Sequence, residues 1–202
     1  MVLCDHLFYK NHIFTIKMIK EAYSKTKILI FDLDDTLVIT QAKIKVCDSK
    51  NGNCFELSPE EFNTYQSSKR HILNFDDFKS LDIMKAGKLI QKYLDILEKN
   101  YKKGNAIGVI TARDDQDMIY TWLKDHVGFD VKREFIWAIN DPKMKLSGSI
   151  AEKKKEAMKW FVEKGYTDIT FFDDDVNNID LINQLGRELA DVSIKTHLAK
   201  HA

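Results

Sequence analysis

Residues 27 to 38 read KILIFDLDDTLV, an apolar run of strand length that ends in Asp32, Asp34 and Thr36. A run of Ile, Leu and Phe without polar alternation predicts a strand covered on both faces, which points to the parallel sheet of an α/β fold. Open parallel sheets hold their ligands outside the carboxyl ends of their strands. Here that end carries a pair of carboxylates, Asp32 and Asp34. The pair offers a nucleophile and a proton carrier, and both suit a hard, oxygen-preferring cation. Asp and Thr also collect at strand ends as turn formers, so the pattern gains its weight from what the rest of the chain adds.

Further segments add to it. AIGVIT at 106 to 111 is a second apolar run, ending in Thr111 and followed by Ala112 and Arg113. A third, Ile169 to Phe172, leads into Asp173, Asp174 and Asp175. Upstream of it, Ser149 and Glu152 form the S-x-x-E pattern of a helix start, which puts Lys153, Lys154 and Lys155 in the first turns of a helix near the strand ends.

Over about residues 26 to 195 the chain resembles the haloacid dehalogenase (HAD) superfamily of phosphotransferases, whose motifs come in this order at the ends of parallel strands. The resemblance implies a phosphatase working through an aspartyl-phosphate, with Asp32 as nucleophile and Asp34 as general acid and base. An Asp at the position of Asp34 is similar to the phosphatase and phosphomutase type, not to the transport ATPases or the dehalogenases. Thr111 and one lysine, assigned as Lys154, would hold the phosphoryl oxygens. Asp173 and Asp174 would complete a magnesium site with Asp32 and the backbone carbonyl of Asp34. Thr36, Arg113 and Asn178 would stand on the substrate side. The run of aspartates at 173 to 175 departs from the family's common Gly-Asp form, and Asp175 reads as a turn or cap residue.

The fold class expected is α/β, a Rossmann-like (HAD-type) parallel sheet with helices on both faces. Length (202 residues) and 44% hydrophobic content fit a single domain over 1–202. Its core would span about 26–39 and 83–198, with an N-terminal extension at 1–25 carrying a short helix through IKMIKEAY. Strands are predicted at 105–111, 134–139 and 168–173, with an edge strand at Ala190 to Ile194. Helices are predicted over Met84 to Tyr101, 114–127 and 150–164, and a last one through Ile179, Ile182 and Leu185. KIKVCDSKNGNCFEL reads as a hairpin about Asn51-Gly52 and Ser58-Pro59-Glu60-Glu61 as a helix start, and the family resemblance implies that residues 40–82, which hold them, are a small cap or flap.

Net charge is zero and Arg70, Arg113, Arg133 and Arg187 are the only arginines, so no broad footprint for duplex nucleic acid is visible. No run approaches the ~20 apolar residues of a membrane span, and no signal pattern opens the chain, which predicts a soluble cytoplasmic protein. Cys4, Cys47 and Cys54 lack metal-ligand spacing and are expected as reduced thiols. The histidines form no spaced cluster and read as structural. The expected partner is a phosphorylated substrate, a nucleotide or a nucleic-acid end, with no membrane and no obligate protein partner. The order ITARDD, helix, FIWAIN, lysine-rich helix start and DDD is similar to the phosphatase domains of phage-type polynucleotide kinase-phosphatases, although the chain has no G-x-x-x-x-G-K-[ST] loop. A non-catalytic, phosphate-binding regulator with the same fold is the alternative.

Overall fold

The computed structural model describes residues 27–200. In chain order the elements are β1 (Lys27–Phe31), β2 (Val38–Ile39), β3 (Ile44–Asp48), β4 (Cys54–Leu57), α1 (Pro59–Thr64), β5 (His71–Asn74), α2 (Leu81–Lys85), β6 (Lys88–Leu89), α3 (Gln91–Lys102) and β7 (Ala106–Thr111). There follow α4 (Gln116–Thr121, continued by a π-helical turn), β8 (Ile136–Ala138), α5 (Ile150–Glu163), β9 (Asp168–Asp173), α6 (Val176–Glu188) and β10 (Ser193–Leu198).

β1 is the middle strand of a five-stranded sheet of order β10-β9-β1-β7-β8, parallel throughout. Its residues Ile28 to Phe31 are buried, as an unalternating apolar run requires. The fold is α/β and Rossmann-like in general form. From β1 the chain steps to β7 and β8, then returns past β1 to β9 and β10. Right-handed crossovers therefore put α3 and α4 on one face and α5 and α6 on the other. Tyr93, Leu94 and Leu97 of α3, Met158 and Phe161 of α5, and Ile182 and Leu185 of α6 fill the core. The reversal makes the carboxyl ends of β1 and β9 the topological switch point, where sheets of this kind bind ligands.

Some boundaries differ from those expected, for identifiable reasons. The helix expected over Met84 to Tyr101 is interrupted by β6, which pairs Leu89 with Val38. At Gly87 the Val38 side chain comes so near that a Cβ would lie 2.5 Å from its Cγ2. Leu89 and Ile90, which carry the helical spacing, thus belong to a strand and a cap. The strand expected at 134–139 is shortened by a 3-10 turn at Arg133–Phe135. The edge strand starts later than Ala190, at Ser193, after a turn. The IKMIKEAY segment and Cys4 lie outside the described residues.

The insertion is a three-stranded antiparallel sheet of order β4-β3-β5 beside α1. Its hairpin turns at Asp48–Asn53, where Gly52 takes φ +72° and donates its N–H to the Asp48 carbonyl. The capping box forms as expected, Ser58 accepting from the Glu61 N–H while the Glu61 carboxylate accepts from the Ser58 N–H. β5 was not expected, because HILN is short and mixed in polarity. One expectation is corrected. Cys47 and Cys54 are not reduced thiols but are joined in a disulfide. They stand directly opposite across β3 and β4, in the close-approach class of antiparallel pair, with Cα atoms 4.1 Å apart. Among the described residues no helix is long and apolar enough to cross a membrane.

Gly108 of β7 lets α5 approach the sheet, since a Cβ there would lie 3.0 Å from Phe161 Cζ and 3.3 Å from the Phe135 carbonyl oxygen. Gly108→Ala is expected to cost about 1–3 kcal/mol by overpacking. Chemical denaturation measures it, and an unchanged midpoint would show that the interface yields freely.

Candidate active site

Most of the candidate side chains stand at or just beyond strand ends, while Lys154 and Asn178 come from helices. Asp32 follows β1 directly, and its backbone N–H donates to the Phe172 carbonyl at 2.8 Å, tying the end of β1 to β9. The chain then wraps about the Leu33 carbonyl, which accepts from Leu37 and Val38 at 2.8 and 3.1 Å. This turn needs a left-handed residue, supplied by Asp35 at φ 57°, and Asp is one of the few L-residues that visits that region readily. Asp34 is thereby set beside Asp32 at the same strand end.

Lys154 is the centre of the arrangement. The capping box of Ser149 and Glu152 fixes the start of α5. Of the lysines that follow, Lys153 reaches Asn140 and Lys155 reaches Glu188, and both are half-buried. Only Lys154 is buried. Its Nζ donates to Asp32 Oδ1 and to Asp173 Oδ2, each at 2.7 Å. Asp173 ends β9, and its other oxygen accepts from Asn178 Nδ2 at 2.9 Å and from the Asp175 N–H at 3.0 Å. Asp175 also caps α6.

The remaining candidates are placed as follows. Thr111 ends β7, is buried, and accepts from the Arg113 N–H at 3.3 Å. Thr36 is fully buried, and among the described residues neither its hydroxyl nor the buried Oδ1 of Asn178 has a hydrogen-bond partner. Arg113 does not extend into solvent. Its side chain is 1% exposed and grips Asp34 through both carboxylate oxygens, Nε to Oδ2 at 2.9 Å and Nη2 to Oδ1 at 2.7 Å. Its Nη1 donates to the Phe78 carbonyl at 2.6 Å. Sequence reading missed Phe78. Its backbone oxygen has no sequence signature, and it contacts Arg113 from 35 residues away.

The electrostatics are those of too many carboxylates around one ammonium. Burial raises the Asp32 carboxyl well above its usual range, Lys154 opposes that rise, and Asp173 and Asp174 add to it. Asp174 is pushed up to about 7 by burial first and by Asp173 second. Burial alone would lower Lys154, but Asp173 and Asp32 more than offset it and hold the ammonium above its ordinary range. Lys154 therefore stays charged.

Among the described residues, no three His, Cys, Asp or Glu side chains converge closely enough to hold a metal ion as they stand. The donor chemistry nevertheless fits a divalent cation. Asp32, Asp173 and Asp174 are hard oxygen donors, and such an ion would offset both the burial that chiefly raises Asp32 and Asp174 and the repulsion from neighbouring carboxylates that adds to it. An open cleft of about 400 Å³ lined by Lys79, Asp114, Asp115, Asp117, Asp141 and Lys143 adjoins the site beyond Arg113. A second, of about 490 Å³ between α5 and α6, contains none of the candidate residues.

No protein-family model matches this chain, and no curated protein matches it.

A carboxylic acid with a raised folded-state pKa keeps its proton in the native protein over a range where the unfolded chain has lost it. For Asp174 that range runs from its ordinary 3.8 to about 7. The native state binds more protons there, so stability falls as pH rises through the window. In chelator, Asp174→Asn should flatten this decline and be more stable than wild type at pH 7.5. Denaturation midpoints at several pH values measure it, and equal slopes for the two proteins would show that Asp174 is not under this strain.

Proposed function

We propose that the chain is a magnesium-dependent phosphomonoesterase of the HAD type, acting on a nucleotide or a nucleic-acid terminal phosphate. One observation carries the reading: Asp32, Lys154 and Asp173 meet by charge-assisted hydrogen bonds at the ends of adjacent parallel strands, with Asp34 held alongside. Structural ion pairs seldom gather buried carboxylates around a single lysine, because the surplus charge costs stability.

In this reading an Asp32 oxygen attacks phosphorus as the ester P–O bond breaks, and Asp34 delivers a proton to the leaving oxygen. The aspartyl-phosphate is then hydrolysed by water, whose proton returns to Asp34. Lys154 and the Thr111 hydroxyl neutralise and orient the phosphoryl oxygens. Thr36 and Asn178 carry buried polar atoms that lack a partner among the described residues and that such a site can use. Magnesium, held by Asp32, Asp173, Asp174 and the Asp34 carbonyl, would supply charge neutralisation for the incoming phosphate dianion. The adjoining cleft carries more aspartates than lysines, which favours a compact phosphate over a long polyanion laid along that side. The alternative, a regulator without turnover, gains no specific support from the site, in which Asp32 and Asp34 are both present.

Asp32→Asn should lower turnover by more than about a hundredfold while keeping the fold, since loss of a nucleophile costs several orders of magnitude. Excess chelator should abolish turnover and magnesium restore it. Assays against nucleotides, sugar phosphates and 3′- or 5′-phosphorylated oligonucleotides decide the matter. Full activity in chelator, or an active Asp32→Asn protein, would contradict the mechanism.

A further inference from the structure

Resting on that reading, we infer that Arg113 is a positioning residue that sets the plane of the Asp34 carboxylate and makes it depend on how the insertion is seated. The guanidinium is buried and each of its three nitrogens is engaged. Nε and Nη2 hold both oxygens of Asp34, at 2.9 and 2.7 Å, while Nη1 holds the Phe78 carbonyl at 2.6 Å. A paired fork fixes a carboxylate in orientation as well as in place. Each Asp34 oxygen keeps a further lone pair away from Arg113, and these are the ones left to exchange a proton.

The other end of the fork rests on the insertion. Phe78 lies in the turn Asp76–Lys79, its ring 5.5 Å from the Arg113 Cζ. The same turn is fastened twice more, by Lys79 to Asp114 at 3.5 Å and by the Lys43 N–H to Asp77 at 3.0 Å. The last of these fixes the entry to β3. A shift of this turn moves the Phe78 carbonyl, and with it the fork that orients Asp34. The insertion thus reaches the chemistry through Arg113.

A residue that acts through the acid matters most when the leaving group needs a proton. Arg113→Lys keeps the charge and loses the fork. Its kcat/KM should fall at least tenfold further on an alkyl phosphate, whose alkoxide leaves poorly, than on a nitrophenyl phosphate. Added to Asp34→Asn, the same change should cost less than twofold more on either ester. Phe78→Ala, which retains the carbonyl but removes the ring beneath the fork, should show the same selectivity at smaller size. Denaturation midpoints identify any variant that has lost its fold, and Phe78→Ala then carries the comparison. Equal losses on the two esters, or an additive loss in the Asp34→Asn background, would overturn the positioning role in favour of a structural or phosphate-binding one. Wild-type protein that hydrolyses neither ester would overturn the phosphatase reading and this inference with it.

Discussion

A buried ammonium needs partners, and Lys154 finds two, Asp32 and Asp173, each at 2.7 Å. Taking such ions out of water costs several kcal/mol apiece, an expense that close, hydrogen-bonded pairing can offset. Much of the architecture serves this pairing. β1 and β9 lie side by side in register, so that Asp32, just past β1, and Asp173, the last residue of β9, present both carboxylates to one point. The capping box of α5 sets the helix start so that Lys154 faces inward while its neighbours stay outside. Asn178 of α6 then occupies the remaining oxygen of Asp173. Helices α5 and α6 and strands β1 and β9 are all anchored to one charge cluster.

That cluster is also unbalanced, which distinguishes it from a structural ion pair. Lys154 cannot neutralise Asp32, Asp173 and Asp174 together; burial first, and the neighbouring carboxylates after it, raise Asp32 and Asp174. On the proposed reading this surplus negative charge would favour a cation, and with the cation a phosphate. Stability would then be given up where ligand is bound.

The core strands and Asp32, Asp34, Thr111 and Asp173 were legible in the sequence because an unalternating apolar run and its polar terminus are local signals. Ser149 and Glu152 placed Lys153 to Lys155 at the start of a helix near the strand ends, but which of the three turns inward is decided by packing, and it is Lys154 that is buried. What escaped was long-range or context-dependent. The helix across Met84 to Tyr101 follows from spacing, yet Val38, far away in sequence, packs over Gly87 and turns Leu89 into a strand residue. Cys47 and Cys54 read as free thiols until β3 and β4 bring them face to face. Arg113 could be marked as part of a site, but its partner Asp34 lies 79 residues away, and no local pattern reveals a fork turned inward.

The account stands on Asp32 receiving the phosphoryl group beside Lys154. The most direct measurement is a crystal structure with magnesium and beryllofluoride, a mimic of an aspartyl-phosphate. The account predicts the beryllium bonded to an Asp32 oxygen, its fluorides contacting Lys154 and the Thr111 hydroxyl, and the metal against Asp32 and the aspartates that end β9. Beryllofluoride bound elsewhere, or no binding at saturating concentration with the fold intact, would contradict it.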